Sequence, residues 1–311
     1  MNYKFVVDFI KSLNMNKEFI PLHEPKFIGK EKEYVMDTIE STYVSSVGKY
    51  GEKFEKDICE YTGAKFAVAC VNGTAALHLA MRVAGVESGD IVLTQPLSFI
   101  ATCNAITYTG AEPLFLDIDK ETLGLSTNKL QSFLSEKCEI IKDKCYHKKT
   151  GKKIQACIPM HTFGHSSDIV KTVQICSEYN IAVIEDAAES MGSFYNAQHT
   201  GTFGLLGAFS FNGNKIITCG GGGMIVTDDE ELAKHAKHLS TQSKIVHKWE
   251  FAHDNIGYNY RLPNINAALG VAQLEMLDTF VDNKRELAGI YKDFFEDTEI
   301  DFFSEPVNCK S

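Results

Sequence analysis

Two periodicities of apolar and polar residues alternate along the chain. Short continuous apolar runs, typical of buried strands, are separated by stretches in which apolar residues recur with helical spacing. The seven runs interpreted as strands are 66–71, 91–95, 112–118, 155–161, 181–185, 208–211 and 224–227. The helical stretches associated with them are 29–42, 75–84, 100–109, 127–136 and 168–179. This alternation predicts an α/β protein with a mostly parallel seven-stranded sheet between helices.

Two further segments are given a structural role only. Upstream of the first strand, Phe54 and Ile58 recur at helical spacing, which predicts an amphipathic helix. Between the third and fourth strands lies a charged insert, residues 138–154. We predict that it forms a surface hairpin turning at Thr150 and Gly151, without a catalytic role.

The N-terminus and the composition restrict the class of protein. Residues 1–19 contain an apolar run that Asp8 and Lys11 interrupt, so we predict an amphipathic helix there instead of a signal peptide or a membrane span. Nine cysteines occur without CxxC spacing, which indicates buried free thiols, no metal site and a cytoplasmic protein. The formal net charge of −10 argues against a nucleic-acid surface but permits a small anionic ligand.

Residues 207–227 carry the clearest sign of chemistry. Lys215 follows a tight turn between two short strands and precedes four consecutive glycines, residues 220–223. Glycines allow a close approach to the backbone, so we expect something bulky to lie on this tract, and a planar cofactor would suffice. A P-loop is excluded because the lysine precedes the glycines and no Ser or Thr follows it directly. Taken alone, the stretch also fits a solvated loop lysine beside a hinge.

Two other strand ends supply groups that a cofactor needs. Asp186 follows a buried strand, where it could cap the next turn or pair with a protonated ring nitrogen. Residues 72–74 (NGT) precede a helix predicted to start near Ala75, and such a terminus either binds phosphate or is simply capped. Because ligands bind at the carboxyl ends of parallel strands, we expect these groups, His161 and Lys215 along one edge of the sheet. Carboxylate, lysine and helix terminus together match pyridoxal phosphate.

With these residues, the sequence resembles nucleotide-sugar aminotransferases of the DegT/DnrJ/StrS family, which have the fold-type-I pyridoxal-phosphate architecture. The matching stretches are NGTAALHLA, QPLSFIATCNAI, PLFLDID, HTFG, IEDAAES, SFNGNK, CGGGGMIVTDD and IGYNYRLPNINAALGVAQLE. SFNGNK and KWEFAHDNIGYNYRLPN are most similar to the LegC-type subgroup, which acts in making nine-carbon sugars such as legionaminic acid. The resemblance implies that residues 1–280 form the large cofactor-binding domain. It also implies that residues 281–311 begin a small C-terminal domain, which we expect to be truncated at Ser311.

The resemblance also implies roles for individual residues. Lys215 matches the Schiff-base lysine and Asp186 the partner of the ring nitrogen. The other residues implied to bind the cofactor are Gly73, Thr74, Ala75, Phe99, Glu189, Ser210 and Asn259. Asn259 would reach the phosphate of the neighbouring subunit in a homodimer, although its position alone suggests only a turn asparagine. Glu189 stands where many members have Gln, and its carboxylate would repel the cofactor's phenolate oxygen unless it is protonated or bridged by water.

The implied reaction is a ping-pong transamination. Glutamate would donate the amino group, leaving 2-oxoglutarate, and the acceptor would be a nucleotide-linked 4-keto-6-deoxy sugar, most simply an N-acetylated hexose. The product would enter amino-sugar biosynthesis, legionaminic-acid-like or bacillosamine-like, for cell-surface polysaccharide. Five cationic or titratable side chains in one segment suit a diphosphate, or else form a solvated loop. They are Lys244, His247, Lys248, His253 and Arg261.

Two alternatives stay open at the level of sequence. One is a pyridoxamine-dependent sugar dehydratase of the same fold, in which histidine replaces the Schiff-base lysine, so Lys215 argues against it. The other is a non-catalytic remnant or partner subunit that kept the large domain and lost the small one.

Overall fold

The computed structural model describes residues 3–15 and 17–311. Within these residues the chain forms helices α1–α10, strands β1–β12 and one short 3-10 turn at Thr162–Gly164. The helices are α1 Lys4–Ser12, α2 Glu31–Glu40, α3 Lys49–Thr62, α4 Gly73–Val83, α5 Ile100–Tyr108, α6 Thr127–Lys137, α7 Ile169–Glu178, α8 Glu230–Ser240, α9 Asn264–Leu274 and α10 Leu277–Phe295. The strands are β1 Phe66–Cys70, β2 Ile91–Thr94, β3 Glu112–Phe115, β4 Cys138–Ile141, β5 Lys144–His147, β6 Lys153–Ile158, β7 Ala182–Asp186, β8 Phe194–Tyr195, β9 Gln198–His199, β10 Leu206–Ser210, β11 Gly223–Thr227 and β12 Cys309–Lys310.

Seven strands form the central sheet in the order β1-β11-β10-β7-β6-β2-β3. The pairs β10/β7, β7/β6, β6/β2 and β2/β3 are parallel. Only β11 runs against its neighbours among these seven, because it pairs antiparallel with both β1 and β10. The prediction of a mostly parallel seven-stranded sheet is therefore confirmed.

Successive residues of a strand point to opposite faces of the sheet. Here the residues of both orientations are buried, so both faces of the sheet are covered. In β1, Val68 packs with α4 and α8 in one core, whereas Ala69 packs with α3 and α9 in another. In β7, Ile184 belongs to the first core and Val183 to a third core formed with α6 and α7. Helices thus cover each face and leave the strand ends as the place for a site.

The charged insert forms the predicted turn and one further hairpin that was not predicted. The further hairpin turns at Lys142 and Asp143, whose φ values are 49° and 61°, and it joins β4 to β5. Two consecutive left-handed residues close a two-residue hairpin, and a Lys-Asp pair carries only a weak sequence signal for that turn. The turn at Thr150 and Gly151 does form, but between β5 and β6, so the insert extends the sheet to nine strands.

Several other predictions concern the periphery of the domain. Helix α1 matches only Lys4–Ser12 of the amphipathic helix predicted for residues 1–19, and its Phe9 stacks on Phe294 of α10 at a ring-centroid distance of 3.6 Å. The described residues 13–15 and 17–19 are not helical, and residues 1, 2 and 16 lie outside the described part. Helix α10 continues through position 280, where the domain boundary was expected. All nine cysteines are free, and six of them are buried. Across residues 3–15 and 17–311, no helix has both the length and the apolar character needed to cross a membrane.

Candidate active site

A cavity of about 420 Å³ lies at the carboxyl ends of β7 and β10. These neighbouring parallel strands end at Asp186 and Ser210, so their last side chains reach the same edge of the sheet. The cavity is lined by Asn72, Gly73, Thr74, Leu77, Phe99, Ala101, Thr102, Met160, Asp186, Ala188, Glu189, Ser210, Asn212, Asn214 and Lys215. All the predicted site residues except Ala75 and Asn259 therefore meet around one space.

One end of the cavity is the N-terminus of α4. This helix starts at Gly73, two residues earlier than predicted, with Asn72 as its N-cap. The Asn72 side chain accepts a hydrogen bond from the Ala75 amide at 2.8 Å, and Ala75 does not line the cavity. Gly73 and Thr74 remain at the cavity wall beside the Ser210 hydroxyl, and a helix N-terminus with such donors suits a phosphate group.

The glycine tract has a different role from the one expected. Residues 220–223 do not line the cavity, so the expectation that a cofactor lies on them is wrong. A Cβ on Gly223 would stand 2.3 Å from the Asn72 carbonyl oxygen. Gly220 has φ +76°, in the region that favours glycine. The close approach is therefore between β11 and the backbone of the turn before α4.

Gly223→Ala is expected to lower the free energy of unfolding by about 1–3 kcal/mol, because the added methyl forces β11 away from the Asn72 turn. It should also weaken cofactor binding, since that turn carries Gly73 and Thr74. Gly221→Ala is the matched control, because its Cβ would meet only the Val71 carbonyl oxygen at 3.8 Å. Urea unfolding and cofactor titration measure both effects. Equal behaviour of the two variants would contradict this explanation of the tract.

Asp186 forms the wall of the cavity where β7 ends, and it is 2% exposed. Its Oδ2 accepts a hydrogen bond from the Thr102 hydroxyl at 2.6 Å, and its Oδ1 accepts one from the Ala188 amide at 3.2 Å. Burial raises the pKa of the Asp186 carboxyl above its usual range, and these two hydrogen bonds oppose the rise. Asp186 thus caps the following turn and still faces the cavity, so the two interpretations of this residue are compatible.

Lys215 projects into the same cavity from the turn after β10. Its amide donates to the Asn212 carbonyl at 3.1 Å, and its Nζ lies 3.6 Å from Oε1 of Glu189. The Lys215 side chain is 14% exposed, so the solvated-lysine alternative is wrong. Glu189 Oε2 accepts a hydrogen bond from the Phe163 amide at 3.0 Å, which fixes the carboxylate beside the amine.

His161 was expected at this edge, but its ring turns away from the cavity. The ring is fully buried, and its Nε2 lies 2.8 Å from Oε2 of Glu185. Glu185 also accepts hydrogen bonds from the backbone amides of Gly201, Phe203 and Gly204. The pair therefore fixes the loop before β10, and its role is structural.

Asn259 and the cationic segment lie apart from the cavity within one chain. Asn259 is exposed and forms an isolated bridge with Thr241. Lys244 stacks over the Phe251 ring at 4.7 Å. None of the five residues of the cationic segment, all of them described, lines the cavity.

Sequence reasoning missed Thr102, Asn212 and Asn214 among the lining residues. A signal existed for Thr102, because it lies in the first turn of the helix that follows Phe99, a residue already assigned to the cofactor. From the sequence, the asparagines were interpreted as turn residues. Only the tertiary structure shows that their turns border the cavity.

The mostly parallel sheet, the buried carboxylate, the lysine and the open helix terminus fit a pyridoxal-phosphate-dependent enzyme of fold type I. Comparison with known families gives the same class. The profile of the DegT/DnrJ/EryC1/StrS aminotransferase family matches residues 25–308, and the chain belongs to that family.

Individual relatives are sugar aminotransferases. The chain is similar to GDP-perosamine synthase from Escherichia coli O157:H7, with 43% identity over 275 residues, 88% of this chain and 71% of that protein. Helicobacter pylori PseC, an aminotransferase involved in the biosynthesis of pseudoaminic acid, matches with a TM-score of 0.80 and 27% identity over 91% of this chain and 72% of PseC. The PLP form of Streptococcus pneumoniae Spr1654 matches with a TM-score of 0.82 and 25% identity over 94% and 76% of the two chains. These findings support a nucleotide-sugar aminotransferase in amino-sugar biosynthesis, and assignment to the LegC-type subgroup stays a prediction.

Proposed function

We propose that this chain transfers the amino group of glutamate to a nucleotide-linked 4-keto-6-deoxy sugar, on a route to a legionaminic-acid-like or bacillosamine-like amino sugar. The observation that carries the proposal is the meeting of Lys215, Asp186 and the N-terminus of α4 around one cavity. We include in the proposal that residues 1–280 form the cofactor-binding domain and that residues 281–311 begin a second, smaller one.

The residues around the cavity fit pyridoxal phosphate in number and chemical type. When bound, this cofactor supplies an electron-poor ring that takes up the electron pair of a substrate C–H bond. Asp186, an acceptor buried in the cavity wall, would hold the proton on the ring nitrogen. Gly73, Thr74 and Ser210 would bind the phosphate with amide and hydroxyl donors. Phe99, which also lines the cavity, would pack against the ring.

Lys215 is the group that moves the proton. As a free amine it takes a proton from the donor's Cα as a general base and returns it as a general acid. Glu189 lies 3.6 Å from the Lys215 amine and keeps it at the cavity while it is charged. Among the described residues, Lys215 is the one lysine that lines the cavity together with Asp186, Gly73, Thr74 and Ser210, which supports the assigned role.

We also propose that the active form is a homodimer. Four large apolar side chains within one short segment are strongly exposed: Val246 (98%), Trp249 (78%), Phe251 (84%) and Ile256 (79%). Exposed apolar residues in such a cluster are characteristic of a protein interface. A second chain seated there would also bring Asn259 and the cationic segment near the cofactor phosphate and the nucleotide of its partner.

Sedimentation is expected to give twice the mass of the 34.6 kDa chain. Phe251→Ser should shift the protein toward monomer because it removes an aromatic anchor from the interface. Val307→Ser is the matched control, since Val307 is also 84% exposed but lies outside this segment. A monomeric wild-type chain, or equal effects of both variants, would contradict the dimer.

The acceptor is tested by measuring amine formation with glutamate and GDP-, UDP- or dTDP-linked 4-keto-6-deoxy sugars. The relative that is 43% identical is named for a GDP-linked product, so the GDP-linked sugar is expected to turn over if the substrate is shared. Turnover of N-acetylated UDP-linked sugars alone would instead support the legionaminic-acid-like or bacillosamine-like route. Good turnover of a free amino acid and keto acid pair, with none of any nucleotide sugar, would remove the nucleotide-sugar proposal.

A further inference from the structure

The start of helix α5 carries a buried hydroxyl that bonds directly to the Asp186 carboxylate. Thr102 is fully buried, and its Oγ1 donates to Asp186 Oδ2 at 2.6 Å. The Ser98 hydroxyl donates in turn to Thr102 Oγ1 at 2.9 Å. Because the Thr102 oxygen accepts from Ser98, its single proton is directed toward Asp186. The chain of donors therefore runs from Ser98 through Thr102 to the carboxylate.

This hydroxyl behaves unlike other helical threonines of the same chain. Thr107, also in α5, donates to the carbonyl oxygen four residues earlier, that of Cys103, at 2.7 Å. Thr62 and Thr172 make the same local bond to Ile58 and Asp168. Such a bond satisfies the hydroxyl within its own helix. Thr102 instead reaches across to a strand end, so its contact serves Asp186 and not the helix.

We propose that Thr102 is a positioning residue that orients the Asp186 carboxylate toward the cofactor ring and keeps it ionised; this inference rests on the role proposed for Asp186. With Thr102 on Oδ2 and the Ala188 amide on Oδ1, each carboxylate oxygen has one protein donor. The carboxylate is therefore held against rotation. Each oxygen retains acceptor capacity for a ring N–H.

The hydroxyl also favours the charged form of Asp186. Burial favours the neutral acid, and a hydrogen bond donated to the carboxylate favours the charged form. The titratable groups that act on Asp186 from neighbouring elements are Lys215, beyond β10, and His161, beyond β6, with Glu189 lining the same cavity. Removal of the Thr102 hydroxyl leaves these groups in place and raises the pKa of Asp186 further. Asp186 then becomes neutral at a higher pH, where it no longer stabilises a protonated ring nitrogen.

The test compares Thr102→Val, Thr102→Ser and, as a matched control on an exposed part of the same helix, Thr107→Val. In the loaded enzyme, Thr102→Val should lower kcat by about 10- to 100-fold at neutral pH, the loss that corresponds to one hydrogen bond to a charged group. The acidic limb of its kcat/KM profile should move to higher pH. Thr102→Ser keeps the hydroxyl and should restore both, and Thr107→Val should change neither.

A second measurement does not depend on the cofactor. Carbon-13 NMR of the Asp186 carboxyl in the cofactor-free chain should show protonation at higher pH in Thr102→Val than in Thr102→Ser. If Thr102→Val does not fold, Ser98→Ala, which removes the donor to Thr102, should shift the acidic limb in the same direction by a smaller amount. An unshifted limb in the folded variant, or a loss of activity that Thr102→Ser does not restore, would overturn the inference. An active Asp186→Asn enzyme would overturn the proposed role of Asp186 itself.

Discussion

Lys215→Ala is expected to abolish turnover while leaving the fold intact. The variant loses the only amine that lines the cavity among the described residues, and with it the acid and base of the proton transfer. A positioned acid–base group contributes about 10²–10⁴-fold to a rate, so kcat should fall by at least about that factor. The free energy of unfolding should change by less than about 1 kcal/mol, because Lys215 makes one long ion pair of 3.6 Å with Glu189. Steady-state amine formation and urea unfolding give the two numbers.

Borohydride reduction followed by peptide mapping identifies the lysine that carries the cofactor. A pyridoxyl group on Lys215 is expected, and one on any other lysine would remove the assignment. Lys234→Ala is the control, since Lys234 is exposed on α8 and pairs only with Glu230 and Glu231 in the structure described. A Lys215→Ala enzyme as active as Lys234→Ala would contradict the mechanism.

Asp186→Asn should retain the cofactor and lose most of its activity. Asparagine has nearly the same shape but no charge, so the ring nitrogen would no longer be held protonated. Loss of one preorganised electrostatic group costs about 10²–10³-fold in kcat, and a loss of that size is expected here. Because the lysine and phosphate donors are unchanged, the visible absorbance of the bound cofactor should persist. Absorbance spectra and kcat, measured on the same preparation, check both statements.

Asp57→Asn is the corresponding control, because Asp57 lies on α3 in an exposed ion pair with Lys53. It should leave both cofactor content and kcat unchanged. Near-normal turnover of Asp186→Asn would mean that this carboxylate only caps the turn at Ala188.

The strands could be predicted because buried parallel strands are continuous apolar runs, and β1, β2 and β7 begin or end within a residue of their predicted bounds. The order of the strands in the sheet could not be predicted, because the pairing of β11 with β1 and β10 leaves no local signal in the sequence. The two-residue strands β8, β9 and β12 are too short to carry a periodicity. The hairpin turn between β4 and β5 was missed because Lys142 and Asp143 adopt left-handed backbone without a glycine to indicate it.

Site residues could be predicted from the sequence where they end a strand or follow it closely. Asp186, Ser210 and Lys215 follow β7 and β10, so adjacency in the sheet brings them together. The hydrogen bond between Thr102 and Asp186 could not be predicted, because the two residues are 84 positions apart and no local pattern pairs them. The purpose of the glycines was misjudged for the same reason, since the backbone that Gly223 meets belongs to Asn72.

The placement of β11 also sets when the site can form during synthesis. Phe66 pairs with Thr227 and Cys70 with Gly223, so the strand that leads into Gly73 finds its partner only near the end of the large sheet. Strands β2, β3, β6 and β7 pair with one another and need nothing beyond Asp186. Such non-local pairing has a high contact order and folds slowly, while domains emerge from the ribosome N-terminus first. A nascent chain can therefore pair these four strands early, whereas β1, which leads into the phosphate end of the cavity, has its partner only once residue 227 has been made.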